Sequence, residues 1–169
     1  LYFWGYEHAS NAKEMTPGEV PGTFSWTGYI TEWQFKFMTT NENDDDYWTG
    51  YFRDPAAADY WTLTPAKEQN MFQLHDVGWR DGVYTINVDL NSLKVEMVPH
   101  VWPIGAFSWG WRQYDAEEMT YKGNGVLEWT GTIYRGDFKF LTRQDAGEGY
   151  WRDASAVSYW TITTDGTGD

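Results

Sequence analysis

The stretch Gly82–Leu90, "GVYTINVDL", alternates cleanly: Tyr84, Ile86, Val88 and Leu90 share one face, and Thr85, Asn87 and Asp89 share the other. A period of two is that of a half-buried β-strand. Around it lie "TFSWTG", "WQFKFMT" and "DYWTLT", short β-branched and aromatic segments separated by Gly, Pro, Asn and Asp. Only "AKEQNMFQL" carries a weak helical pattern. Short strands without crossover helices predict an all-β fold of antiparallel, immunoglobulin-like β-sandwiches.

Self-similarity sets the domain count. "FSWTGYI" (Phe24–Ile30) matches "LEWTGTI" (Leu127–Ile133) at an offset of 103. "QFKFMTTNENDDDYW" (Gln34–Trp48) matches "DFKFLTRQDAGEGYW" (Asp137–Trp151) at the same offset, with a drifting acidic filler. "FRDPAAADYWTL" (Phe52–Leu63) matches "WRDASAVSYWTI" (Trp151–Ile162) at an offset of 99, a change attributed to four extra residues, "TGYF", at Thr49–Phe52. Gly5 pairs with Gly105, and Met15 with Met119. The reading is two tandem modules, 1–99 and 100–169, the second stopping at "TITTDGTGD" before a counterpart of the last strands. A sandwich without its closing strands exposes an edge.

Composition narrows the partners. Twelve tryptophans in 169 residues exceed what a small core buries, so some are expected to face water for a reason. A net charge of −13 repels phosphates and excludes nucleic acid or an anionic membrane as the partner. Cysteine is absent, so there is neither a disulfide framework nor thiolate chemistry. No apolar run approaches the ~18 residues of a membrane span. The chain opens directly in a strand, "LYFWGY", so any leader or anchor is expected outside it.

In Phe-Lys-Phe the two rings share one face and the lysine takes the other. Phe35, Phe37, Phe138 and Phe140, with Trp26 and Trp129, are therefore core candidates. Lys36 and Lys139 face the opposite side, where the loop returns to deliver Tyr47-Trp48 and Tyr150-Trp151. An ammonium beside an exposed indole suits sugar recognition: the ring packs on the C–H face of a pyranose and the ammonium donates to hydroxyls. The alternative is a lysine stem lying over an aromatic core residue. Two copies at equal spacing favour the binding role.

The chain resembles the surface glycan-binding lipoproteins of starch-utilisation systems, of the SusE and SusF type. The resemblance rests on "GAFSWGW" (Gly105–Trp111), Met119, "LEWTG", "GDFKFL" and Trp151 in the second copy. In the first it rests on Gly5, Met15, "FSWTG", "QFKFM", Trp48 and "GVYTINVDL". It covers nearly the whole chain and implies tandem carbohydrate-binding β-sandwiches, lipid-anchored at the cell outer membrane through a segment outside this chain. The implied ligand is starch-like α-glucan, and the implied partner is an outer-membrane glycan transporter complex. The family's site residues carry over as Trp111, Lys139 and Trp151 in the second copy and as Lys36 and Trp48 in the first. There Asn11 replaces the opening tryptophan, with Tyr6 or His8 as substitutes. The Asp of the family's Gly-Asp-Ala is absent from both copies. Arg53-Asp54 and Arg152-Asp153 recur as well, either as donors to hydroxyls or as local ion pairs fixing a loop.

Catalysis finds little support. A glycosidase needs two carboxylates facing one cleft, and no acidic residue recurs at a core strand position in both copies. His8, His75 and His100 are scattered, without a triad order or zinc-ligand spacing. Asn41–Asp46 offers hard oxygen ligands for calcium but lacks the EF-hand glycine and terminal glutamate, so a solvated acidic loop is favoured. The reading is a non-catalytic binder without cofactor or metal. Its rivals are a scaffold whose aromatics bind protein, and the accessory binding region of a glycoside hydrolase.

Overall fold

The computed structural model describes residues 1–5, 11–31, 34–42, 49–65, 70–147 and 149–163. The protein is all-β, with several antiparallel sheets forming β-sandwich modules. The alternation in Gly82–Leu90 is realised directly: Tyr84, Ile86 and Val88 are buried, while Thr85, Asn87 and Asp89 are half-exposed. The chain divides into two compact units, one of Leu1–Trp79 with Thr85–Met97 and one of Arg80–Tyr84 with Val98–Asp169. The second unit thus includes a short segment from within the first copy's span. Val83 N–H donates to the Thr142 carbonyl at 2.9 Å, and His100 N–H donates to the Val83 carbonyl at 2.9 Å.

The first unit contains β1 (Tyr2–Gly5), β2 (Lys13–Glu14), β3 (Thr16–Pro17), β4 (Thr23–Ile30), β5 (Phe35–Met38), β6 (Phe52–Arg53) and β7 (Leu63–Thr64). It also holds most of β8 (Gly82–Asp89) and of β9 (Lys94–Pro99). The sheets run β2-β1-β5, β3-β4-β8-β9 and β6-β7. Phe3 of β1 stacks on Trp26 of β4 with ring centroids 4.6 Å apart, joining two sheets through aromatic faces. Phe35, Phe37 and Phe72 are fully buried behind them. "AKEQNMFQL" supplies no helix among the described residues: Phe72 instead bridges Phe35 antiparallel, each N–H donating to the other's carbonyl at 2.9 Å. A 3-10 turn, Leu74–Val77, follows.

The second unit contains β10 (Trp102–Gly105), β11 (Thr120–Gly123), β12 (Val126–Glu128), β13 (Phe138–Leu141), β14 (Gly149–Arg152) and β15 (Ile162–Thr163), in sheets β10-β13-β14-β15 and β11-β12. Its core gathers Trp102, Ile104, Phe107, Trp109 and Leu141, with Trp129 edge-on to Phe107 at 5.0 Å. The Trp109 indole N–H donates to the Pro103 carbonyl at 2.7 Å, satisfying the polar atom this burial removes from water. Trp26, Trp129, Phe138 and Phe140, read as core positions, are packed but only half-buried.

The two copies share one register. Trp4 faces Lys36 and Gly5 faces Phe35 across β1–β5, while Ile104 faces Lys139 and Gly105 faces Phe138 across β10–β13. The recurrent Trp-Thr-Gly has a steric cause. A Cβ on Gly28 would come 2.4 Å from Trp26 Cη2, and one on Gly131 would come 2.2 Å from Trp129 Cη2, so each indole needs the bare glycine beside it.

The register also corrects the sequence alignment. Phe37 pairs with Tyr51 as Phe140 pairs with Tyr150, and Phe52 pairs with Thr64 as Trp151 pairs with Thr163. Tyr51-Phe52 is therefore the counterpart of Tyr150-Trp151. The four extra residues lie in the loop before Gly50, not at Thr49–Phe52.

Candidate functional site

Period two places Lys139 of β13 between Phe138 and Phe140 but on the opposite face. There its Nζ stands 3.9 Å from the centroid of the Trp151 ring on β14. The ammonium also donates to the Gly147 carbonyl at 2.8 Å, which ties the returning loop to the strand. Partial burial lowers the Lys139 pKa. A cation over an indole contributes roughly 0.5–2 kcal/mol, more as water is excluded. One residue further, the Arg152 guanidinium lies 5.1 Å over the Tyr159 ring, and Tyr159 meets Trp160 edge-on at 5.2 Å.

These groups surround an open cleft of ≈ 200 Å³ whose walls include Lys139, Tyr150, Trp151, Arg152, Tyr159 and Trp160. Burial pushes the Tyr150 hydroxyl pKa up. Tyr159 and Trp160 were not singled out as site residues, although the repeated "YW" at 60–61 and 159–160 marked them. No family model, curated protein or solved structure matches the chain.

Four expected site residues are thus brought together: Lys139, Tyr150, Trp151 and Arg152. Trp111 is not among the residues that line this cleft. It is 57% exposed, and among the described residues it makes no ring contact or hydrogen bond. The large ring that packs in its loop is Trp109, stacked on Phe107 at 5.4 Å.

The first unit differs at the same positions. Lys36 is 0% exposed, with Nζ 4.5 Å from the Phe52 centroid and 5.7 Å from that of Trp4, and it donates to the Thr49 carbonyl at 3.3 Å. Both faces of β5 are buried, so the alternation that was expected to bring Lys36 to a ligand instead puts it into a second packed layer. Tyr47 and Trp48 lie outside the described residues, as do Tyr6 and His8, and the counterpart of Trp151 is Phe52. Asn11 lines a separate opening of ≈ 360 Å³ with Lys13, Trp26, Tyr29 and Gln34.

The recurrent Arg-Asp pairs are placed alike in the two units. Arg53 lies 5.1 Å over Tyr60, as Arg152 does over Tyr159. Asp54 accepts from the Ala56 N–H at 2.9 Å and Asp153 from the Ser155 N–H at 2.8 Å, closing the same turn. Among the described residues neither is an ion pair; each arginine clasps a tyrosine and each aspartate caps a turn.

Most of the acidic run Asn41–Asp46 is outside the described residues, and among those described no group of three His, Cys, Asp or Glu is placed to hold a metal. His75 sits 3.1 Å from Asp76 and His100 2.6 Å from Glu118.

Burial lowers the Lys36 pKa to about 8 from its ordinary 10.5. Between those values the unfolded chain binds the extra proton, so the first unit should gain stability as pH rises from about 8. Above pH 10 Tyr60, pushed up to about 12 mainly by burial, opposes the trend, because there the folded state holds the proton. Urea unfolding from pH 7.5 to 10 checks this: stability climbs in the wild type, and Lys36→Met removes the climb. An equal slope in both would put its origin elsewhere.

Proposed function

We propose that the protein is a non-catalytic, cell-surface glycan binder that captures starch-like α-glucan for uptake, with its binding site in the second unit. The supporting observation is the Lys139 ammonium held 3.9 Å over Trp151 at the wall of an aromatic cleft. Apolar rings offer faces to pyranose C–H groups, while the ammonium and the Arg152 guanidinium supply donors to hydroxyls. The wall residues named above include no carboxylate, which favours binding over glycosidic cleavage. The α-glucan specificity, the outer-membrane lipid anchor lying outside this chain and the partnership with a glycan transporter rest on the family resemblance. Among the described residues no helix is long and apolar enough to cross a membrane.

Calorimetric titration with maltoheptaose tests the site. Trp151→Ala removes the ring and the support for Lys139, about 1–2 kcal/mol together, so affinity should fall roughly five- to thirtyfold. Trp48→Ala should cost less, because Lys36 in that unit is sealed under Phe52 and Trp4. Equal losses would give the first unit a site of its own, and the reverse order would move the site there. On a glycan array, binding only to β-linked or charged polymers would remove the α-glucan assignment. Cleavage products after prolonged incubation would remove the non-catalytic one.

A further inference from the structure

Lys36 and Lys139 hold equivalent places in the two copies, but they are fixed there differently. Lys36 has rings from two neighbouring strands. It lies opposite Trp4 across β1–β5, with Nζ 5.7 Å from that ring's centroid and 4.5 Å from that of Phe52. Opposite Lys139 across β10–β13 stands Ile104, which offers no ring face. A lysine carries its ammonium on a flexible four-carbon stem, so a single ring contact leaves it much rotamer freedom. The other contact that fixes Lys139 is the Gly147 carbonyl, 2.8 Å from Nζ. That carbonyl can anchor the ammonium only if the turn carrying it is itself fixed.

Within that turn, Arg143–Gly147, Arg143 Nη2 donates to Asp145 Oδ2 at 2.8 Å, which shapes the turn without tying it to another element. The tie comes from Gln144, whose Nε2 donates to the Gln113 carbonyl at 3.0 Å. The bond is half-buried, so water competes for it less than at an open surface. Gln113 opens a short 3-10 turn, Gln113–Asp115, and the residue before it fastens that turn to the core. Arg112 Nε donates to the Trp109 carbonyl at 3.1 Å and lies 3.0 Å from Asp115 Oδ2, and Trp109 is buried against Phe107. A Cβ on Gly147 would stand 4.0 Å from Gln113 Oε1, so the two turns lie side by side at Gly147 itself. A chain of contacts therefore runs from buried Trp109 through Gln113 and Gln144 to Gly147 and Lys139.

We infer that Gln144 is a positioning residue of the cleft: by fastening the Arg143–Gly147 turn to the Gln113 carbonyl, it fixes the acceptor that holds the Lys139 ammonium over Trp151. Its consequence for binding rests on the proposed sugar site, whereas the placement of Lys139 is measurable without any ligand.

The test compares Gln144→Glu and Gln144→Ala in the full chain. Glutamate keeps the length and shape but, once ionised, has no donor for the Gln113 carbonyl. In the proton NMR spectrum of the wild type, the Lys139 ε-methylene should be displaced upfield by the indole ring current, relative to the exposed lysines. Trp151→Ala, which abolishes that displacement, assigns the signal. Both Gln144 variants should lose most of the displacement, while the amide signals of Trp102 and Leu141 in the core stay in place. Calorimetric titration with maltoheptaose should show affinity weakened about three- to tenfold in both, the effect of one hydrogen bond. A wild-type displacement in both variants would overturn the proposal. So would its loss in Gln144→Ala alone, because side-chain packing and not the hydrogen bond would then hold the turn. Loss in both variants, with sugar affinity unchanged or absent throughout, would uphold the positioning of Lys139 and overturn the sugar site instead.

Discussion

Replacing Phe72 with alanine is expected to lower the stability of the first unit by about 3–5 kcal/mol, the range for removing a buried aromatic ring. The ring is fully buried and touches Phe35, Phe37, Trp61 and Tyr60, so its loss leaves a cavity walled by other rings that cannot all move inward together. The main-chain bonds to Phe35 survive the substitution, so the loss measures packing and not strand pairing. Urea unfolding followed by near-ultraviolet circular dichroism checks it, with Trp160→Ala as the internal contrast. That residue is the counterpart of Trp61 but exposed, and its removal should change stability by no more than about 0.5 kcal/mol. A Phe72→Ala cost below about 1 kcal/mol would show that the segment is not held by its aromatic seat.

The second large effect is expected at Gly50. Its φ of 96° lies in the left-handed region, and a Cβ there would fall 2.1 Å from the Phe37 carbonyl oxygen and 2.8 Å from Met38 Cα. Both obstacles are backbone, so no rotamer change relieves them. Strain at the dihedral costs roughly 1–2 kcal/mol, and displacing a paired strand adds to it. Gly50→Ala should therefore destabilise the first unit by about 3 kcal/mol or more. Because Tyr51 and Phe52 follow directly, the lid over Lys36 should loosen as well, and the rise in stability between pH 8 and 10 should flatten. A variant with wild-type stability would mean that the close approach of Gly50 to β5 does not hold in solution.

The β class was legible because period two and turn residues report local backbone geometry directly, and "GVYTINVDL" buries the face its pattern indicated. The Phe-Lys-Phe strands were legible as strands. What they faced was not. Lysine between two phenylalanines reads as outward-pointing only if one side of the strand meets water, and β5 is packed on both. The alignment around the loop was ambiguous for a different reason. Tyr47-Trp48 and Tyr51-Phe52 both match Tyr150-Trp151 in composition, and only main-chain pairing with Phe37 chooses between them. Trp111 shows the limit of carrying a motif across: it has the motif's place along the chain but is not among the residues that line the Lys139 cleft.

From Phe37 to its partner Tyr51 the chain is four residues longer than from Phe140 to Tyr150, yet the strand pairs that follow are in identical register. Closing the longer loop costs only about 0.3 kcal/mol more chain entropy. Loop length and framework are therefore nearly independent variables in this architecture. Insertions can accumulate between these strands without disturbing the sheet, so the chemistry of the loop can differ between the copies while the fold stays fixed.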